Sequence, residues 1–299
     1  MATLGLIDIG GKTIKFAIWE NQQLTHHHAI STPAAKADFM TLLSEEVDQM
    51  KRDAPITGVA ISSPGSVNKA RGVIEGASAI PYIHNFPIQT ELEQRFELPV
   101  SIENDANCAA LAELDSGAGR GADSLAFLVI GTGVGGALIF NHQVWHGAHL
   151  FGGEFGYTKI SNAGTLSELG TMPNAIRRYQ AATGQTGAMT GKQLYARAAK
   201  ADLDAQRELN TMYAALAQGV FNLQYSFDPE KIVLGGGISN NPQLIPGIEK
   251  ALERIYAQVK IATLKPQLVL CEYTDEANLR GARVDFEQEH PADVRSEVK

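Results

Sequence analysis

Three glycine clusters, each directly after an apolar run, constrain this chain more than any other feature. They are Asp8-Ile9-Gly10-Gly11, Gly131-Thr132-Gly133-Val134-Gly135-Gly136 and Gly235-Gly236-Gly237. A glycine turn at the end of a buried strand lets backbone N–H groups approach an anion with no Cβ in the way. Any one of them also reads as an ordinary hairpin. Three together, one led by an aspartate and one carrying a threonine, point to a nucleotide. The run Gly131–Gly136 meets the G-x-G-x-x-G spacing of dinucleotide sites, but that fingerprint must open a helix, and Val134–Phe140 reads as a second strand. The G-x-x-x-x-G-K-[ST] loop is absent, since Lys12-Thr13 follows a glycine pair without the leading glycine.

The remaining pattern alternates strands and helices. Leu4–Ile9, Thr13–Trp19 and Leu24–Ile30 read as three strands joined by tight turns. Ala37–Lys51 has helical spacing, with Phe39, Leu42, Leu43, Val47 and Met50 on one side. Ile56–Ile61 is a β-branched run that ends in Ser62-Ser63-Pro64-Gly65, Glu91–Phe96 looks helical, and Val100–Ile102 is a strand. Glu103-Asn104-Asp105 then leads into an alanine-rich helix over Ala106–Glu113, with Asn104 or Asp105 as its cap.

Gly117, Gly119 and Gly121 mark a boundary, after which the strand–glycine–strand pattern starts again at Leu125–Ile130 and Val134–Phe140. The recurrence suggests two halves built alike. The expected domains are residues 1–117 and 118–299. The second carries helices at Pro173–Ala182, Lys192–Lys200, Asp202–Phe227 and Pro242–Val259, strands at Lys231–Leu234 and Gln267–Leu270, and a last helix over Ala277–Glu287. Strands followed by helices throughout place the chain in the α/β class.

Composition removes several functions. With 299 residues, 44% hydrophobic and 19% charged, the chain has ample material for packed cores and is not a disordered polymer. A net charge of −8 argues against general nucleic-acid binding, which needs a basic face. Two cysteines exclude a disulfide framework and a four-cysteine zinc site. The uncharged stretch from Ser124 to Gly153 invites a membrane helix, but its central glycines fit two buried strands better. The N-terminus lacks the basic and apolar regions of a signal peptide, so a cytoplasmic protein is expected.

Six motifs occur in a fixed order: Asp8-Ile9-Gly10-Gly11, Ser63-Pro64-Gly65, Glu103-Asn104-Asp105-Ala106-Asn107, Gly131–Gly136, Gly153-Glu154-Phe155-Gly156 and Leu234-Gly235-Gly236-Gly237-Ile238. In this order and spacing the chain resembles the ROK sugar kinases (repressors, open reading frames, kinases) from residue 4 to about 285. The resemblance implies a two-domain actin-like ATPase (ribonuclease H-like) fold with a cleft between domains, and a last helix that packs back on the first.

It also implies roles. Gly10, Gly11, Gly131, Thr132, Gly133 and Gly135 would grip the phosphates of ATP. Asp8 would sit near Mg²⁺ through water, and Gly235, Gly236 and Gly237 would border the adenosine. Lys12, Thr13 and Lys15 all stand as candidates for a phosphate contact. Alone, Asn104-Asp105 is an N-cap sequence. By resemblance Asp105 is the base that receives the proton of the sugar hydroxyl. A helix N-terminus weakens a carboxylate as a base. Phosphoryl transfer tolerates this, because its loose transition state needs little deprotonation before attack.

By resemblance the sugar pocket takes in Gly65, Asn104, Asp105, Glu154, the residue at 157 and a later glutamate matched by Glu168. Most relatives have histidine at 157 and a cysteine-rich zinc loop behind it. This chain has Tyr157 and neither cysteine nor histidine between Tyr157 and Glu168, so no zinc site is expected. His146 and His149 read as loop histidines and His26-His27-His28 as an exposed run.

The lost zinc loop resembles the branch similar to β-glucoside kinases, which phosphorylate the 6-hydroxyl of the non-reducing glucose in cellobiose-like disaccharides. Glucokinase, fructokinase and N-acylhexosamine (N-acetylmannosamine) kinase are the rival enzymes. A sugar-sensing regulator without a DNA-binding domain is the rival that is no enzyme. The expected partner is a sugar, with no nucleic acid and no membrane, and by resemblance alone a second copy in a homodimer.

Overall fold

The computed structural model describes residues 2–291. The N-terminal elements are β1 (Leu4–Ile9), β2 (Thr13–Glu20), β3 (Gln23–Ser31), α1 (Lys36–Asp53), β4 (Gly58–Ser63), β5 (Ser66–Asn68), β6 (Val73–Glu75), α2 (Ile88–Phe96), β7 (Val100–Asn104) and α3 (Asp105–Asp115). Then come β8 (Ser124–Ile130), β9 (Val134–Phe140), β10 (Gln143–Val144), β11 (Lys159–Ser161), β12 (Gly164–Thr165), α4 (Leu166–Leu169), α5 (Met172–Thr183) and α6 (Gly191–Ala199). The chain continues through α7 (Leu203–Phe227), β13 (Lys231–Gly235), α8 (Leu244–Gln258) and β14 (Leu268–Leu270) to α9 (Ala277–Glu289).

Two compact units result. The first comprises residues 2–117, 146–151 and 275–291, and the second comprises 118–145 and 152–274. Each unit holds one five-stranded sheet, ordered β3-β2-β1-β4-β7 in the first and β10-β9-β8-β13-β14 in the second. In both, the first three strands in this order are antiparallel, and the last two join in parallel. The repeat suggested by the two strand–glycine–strand segments is therefore a repeat of the whole sheet.

The period-2 alternation of strands decides what each face of the first sheet carries. Ile7 and Ile9 of β1, Val59 and Ile61 of β4, and Val100 and Ile102 of β7 pack with Phe39, Leu43 and Val47 of α1. Leu4 and Leu6 of β1 and Ala60 of β4 pack on the opposite side with Cys108 of α3 and Leu279, Ala282 and Phe286 of α9. Continuing that alternation puts Asp8, Ser62 and Glu103 on the α3/α9 side, and they are register partners across β1, β4 and β7. One row of three polar residues thus crosses an otherwise apolar sheet.

In the second unit, Ala126, Leu128 and Ile130 of β8 pack with Met212, Leu216 and Val220 of α7. The stretch proposed as a membrane rival forms the β8–β9 hairpin, and among the described residues no helix is long and apolar enough to cross a membrane. Boundaries shift where turns intrude. The strand expected from Ile56 starts at Gly58, because the Ile56 N–H turns back to the Ala54 carbonyl at 2.8 Å. The helix expected from Pro242 starts at Leu244, whose N–H closes a turn on Asn241 O at 3.0 Å. The short β5–β6 and β11–β12 hairpins and α4 have too few residues to show a period.

Helices α3 and α9 meet backbone to backbone at Gly281. A Cβ built there would lie 1.6 Å from the carbonyl oxygen of Cys108. Gly281→Ala is expected to destabilise the protein by about 1–3 kcal/mol, through overpacking that no side-chain rotation relieves. Equilibrium denaturation of the variant and the parent protein measures this.

Candidate active site

Asp105 opens α3 at the C-terminal end of β7, and Asn104 is the cap. The Asn104 carboxamide oxygen accepts the N–H groups of Ala106 at 2.9 Å and Asn107 at 3.2 Å. Its Nδ2 donates to the Gly65 carbonyl at 3.0 Å. Gly65 has φ +100°, and a Cβ there would lie 2.8 Å from both His84 and Ile74, so only glycine fits this turn. Asp105 Oδ1 accepts the Ala106 N–H at 2.8 Å. The Asn104–Asp105 pair is thus tied to its neighbours by four hydrogen bonds and partly exposed, with one Nδ2 proton of Asn104 beyond those bonds.

Asp8 is buried at the end of β1. Its Oδ1 accepts from Ser62 Oγ at 2.9 Å and from Asn278 Nδ2 at 3.0 Å, while its Oδ2 lies 3.9 Å from Lys15 Nζ. Lys15 also donates to the Asp275 carbonyl at 3.0 Å. Asn278 lies near the start of α9 and has no motif around it in the sequence, so its partnership with Asp8 is legible only in three dimensions. In the first glycine turn the Gly10 N–H closes on Thr13 O at 3.0 Å, and Lys12 and Thr13 are exposed.

The second glycine turn is built differently. The Gly131 N–H closes on Gly133 O at 2.9 Å, and Ser167 Oγ accepts the Val134 N–H at 2.9 Å. A Cβ at Gly10 would meet Thr13 O at 2.7 Å, and one at Gly11 would meet Ala79 at 2.9 Å. At Gly131, Gly135 and Gly237 a Cβ would meet nothing within 4 Å. Packing therefore demands glycine in the first turn and not at these three positions in the second unit. A bound group that needs close backbone approach supplies a reason for glycine there.

Gly131, Thr132 and Gly237 lie on the wall of an open cavity of about 990 Å³ in the second unit. Met172, Pro173, Ile176, Ile130, Ile238 and Tyr195 contribute apolar wall, and Thr190, Lys192 and Asn240 polar groups. Gly236, at φ +85°, lets its backbone lie against Ile130, where a Cβ would be 2.5 Å from the carbonyl oxygen. This places the Gly235–Gly237 turn directly beside the end of β8.

Glu154 is exposed, and its backbone is anchored through the next residue. Phe155 is buried, and its ring fills the space a Cβ on Gly136 would take, at 2.6 Å. Packing around Glu154 strips part of its hydration and raises its carboxyl pKa above the usual glutamate value. Tyr157 is 74% exposed, so its ring is an available surface and not part of the core. Glu168 forms a capping box with Thr165, its Oε2 accepting the Thr165 N–H at 2.8 Å, and this bond holds its carboxyl pKa low. Among the described residues no group of three His, Cys, Asp or Glu side chains is arranged to hold a metal.

The structure also assembles a cluster that the sequence did not announce. Glu103 is fully buried, and its Oε2 accepts from His146 Nε2 at 2.7 Å. Lys69 Nζ lies 3.6 Å from Glu103, 2.6 Å from Asp285 and 2.8 Å from Glu289. Burial raises the Asp285 carboxyl above the usual aspartate value, while the hydrogen bond from His146 and the nearby charge of Lys69 hold Glu103 low despite its burial.

The ROK family model matches residues 4–289 of this chain. A β-glucoside kinase of Listeria monocytogenes is 33% identical over 297 residues, covering 96% of this chain and 98% of its own. A glucokinase of Halalkalibacterium halodurans is 30% identical, with 86% and 89% covered. A crystal structure of a ROK family protein from Streptococcus pneumoniae in complex with sucrose is 39% identical, has a TM-score of 0.87, and covers 97% of this chain and 99% of that one.

This chain belongs to the ROK family. It is a sugar kinase of that family, a phosphotransferase acting on an alcohol group, with the actin-like ATPase fold.

The open glycines yield a direct test. Gly131→Ala is expected to leave the melting temperature unchanged and to raise the KM for nucleotide by roughly tenfold, equivalent to ~1.4 kcal/mol of lost binding. Steady-state kinetics beside a thermal melt checks both halves.

Proposed function

We propose that this ROK kinase transfers the γ-phosphate of ATP to the 6-hydroxyl of the non-reducing glucose of a β-glucoside such as cellobiose. The observation that carries the mechanism is the capped start of α3, where Asn104 fixes Asp105 at the end of a strand. Asp105 orients the attacking hydroxyl and accepts its proton late. Its place at a helix N-terminus, which favours the anion, is compatible with this role because the transition state is loose. Asn104 offers its remaining amide proton, and Glu154 its two carboxylate oxygens, to other hydroxyls of the sugar.

The nucleotide reading is supported by the second unit. A cavity of about 990 Å³ with apolar walls suits a nucleobase and ribose, and the open glycines at its edge leave room for phosphate oxygens against backbone N–H groups. Asp8 fits a role near Mg²⁺. Two donors fix its Oδ1, and its Oδ2 faces the ammonium of Lys15 at a distance too long for a hydrogen bond. Asp8 would hold the ion through water, and the ion, when bound, supplies charge neutralisation on the phosphate oxygens. Lys15, near Asp8 in the first glycine hairpin, adds a second positive charge.

The acceptor class rests on three features. By the family resemblance Tyr157 stands where most ROK kinases carry a histidine, neither cysteine nor histidine follows it before Glu168, and a β-glucoside kinase is among the relatives at 33% identity. An exposed aromatic ring suits stacking on a second sugar ring attached at carbon 1. A free-hexose kinase is the second reading, favoured by the glucokinase relative at 30% identity.

ADP release should be measured against a panel of mono- and disaccharides. Cellobiose or gentiobiose is expected to give a higher kcat/KM than glucose, and a clear preference for glucose or N-acetylmannosamine would overturn the β-glucoside assignment. Asp105→Asn should fold and bind sugar yet lose most turnover, on the order of a hundredfold or more. Retention of near-parental turnover would remove Asp105 from the mechanism. The raised pKa of Glu154 sets a pH dependence. Only the ionised carboxylate can accept sugar hydroxyls on both oxygens, so sugar KM should climb as pH falls, beginning above the ordinary glutamate value of about 4.3. In Glu154→Gln this limb should vanish.

A further inference from the structure

The catalytic reading uses Asn104 and Asp105 but leaves unexplained the buried carboxylate just before them. Glu103 Oε1 accepts the Asn104 N–H at 2.6 Å and Asn107 Nδ2 at 2.9 Å. Its other oxygen accepts His146 Nε2 at 2.7 Å. The carboxylate therefore ties together the last residue of β7, the first turn of α3 and residue 146, three segments within the first unit. Burying an ionised carboxylate is costly unless it is paired and fully hydrogen-bonded. Both conditions are met here, and His146 makes a closer contact than Lys69 does.

Lys69 cannot replace His146. It lies 3.6 Å from Glu103 and is engaged at closer range by Asp285 and Glu289. The groups facing this pair are Lys69, Asp285, Glu289 and the buried thiol of Cys108, which burial keeps protonated. With a neutral residue at 146, one cation would stand against three carboxylates. Glu103 would then be free to take another rotamer or a proton, and its grip on the Asn104 N–H and the Asn107 side chain would weaken.

We propose that His146 is a positioning residue for phosphoryl transfer: by holding Glu103, it fixes the Asn104 backbone and thereby the direction in which Asp105 leaves the start of α3. The inference rests on Asp105 being the proton acceptor, and it goes beyond that reading by assigning a role to a residue outside it. Hydrogen bonding to Glu103 also raises the imidazole pKa above that of an ordinary histidine.

His146→Leu and His146→Gln should be compared with the parent enzyme. Leu removes the contact, whereas Gln keeps a neutral donor. His146→Leu is expected to lower kcat on the order of tenfold with KM for ATP within about twofold, as loss of a hydrogen bond to a charged group would do if expressed in the transition state. His146→Gln should recover part of kcat and lack the alkaline fall in kcat that accompanies deprotonation of His146 in the parent. Parental kcat and pH profile in both variants would overturn the proposal.

If either variant fails to fold, NMR titration of the histidine ring protons in the unmodified enzyme decides the matter. An elevated His146 pKa is expected, and an ordinary value near 6.5 would overturn the proposal. Asp105→Asn separates the two levels. Near-parental turnover in that variant sinks the Asp105 reading itself, whereas low turnover there with unaffected His146 variants sinks only the positioning role.

Discussion

The side-chain amide of Asn104 is the contact on which the candidate site depends. One oxygen satisfies two N–H groups that the start of α3 would otherwise leave unpaired, and one N–H grips the Gly65 carbonyl. The same residue therefore ends β7, begins α3 and anchors the turn after β4. Asp105, the next residue, inherits a fixed position from these three bonds. Removing the amide would loosen the helix start and the Gly65 turn together, so Asn104 is a structural residue as well as the proposed substrate ligand.

The sheet supplies the second constraint. Strand alternation sends Asp8, Ser62 and Glu103 to the side where α3 and α9 pack, and strand register aligns them in one row. A polar row on a buried face must be paired. Ser62 and Asn278 pair Asp8, and His146, Asn107 and the Asn104 N–H pair Glu103. The last helix thus does more than cover apolar surface: it brings Asn278 to Asp8 and Asp285 to Lys69, two sites at opposite ends of the row.

Much of this was legible in the residues, for physical reasons that vary by element. The strands of both hairpins were clear because apolar runs ended in glycine, and the long α7 because its period persists over 25 residues. The cap at Asn104 followed from residue type and place. The His146–Glu103 pair did not, because the partners lie 43 positions apart and His146 sits in a loop whose pattern has no period. Asn278 was hidden likewise, 270 residues from Asp8. The difference between Gly10 and Gly131 was also invisible in sequence. Both are glycines after strands, yet the backbone crowds one and leaves the other open.

The most direct test of the account is a crystal structure of the chain with cellobiose bound. It predicts the 6-hydroxyl of the non-reducing glucose within roughly 2.6–3.2 Å of an Asp105 carboxylate oxygen, with Asn104 still bonded to Gly65. A sugar bound with a different hydroxyl on Asp105, or with that carboxylate turned to solvent, would contradict it.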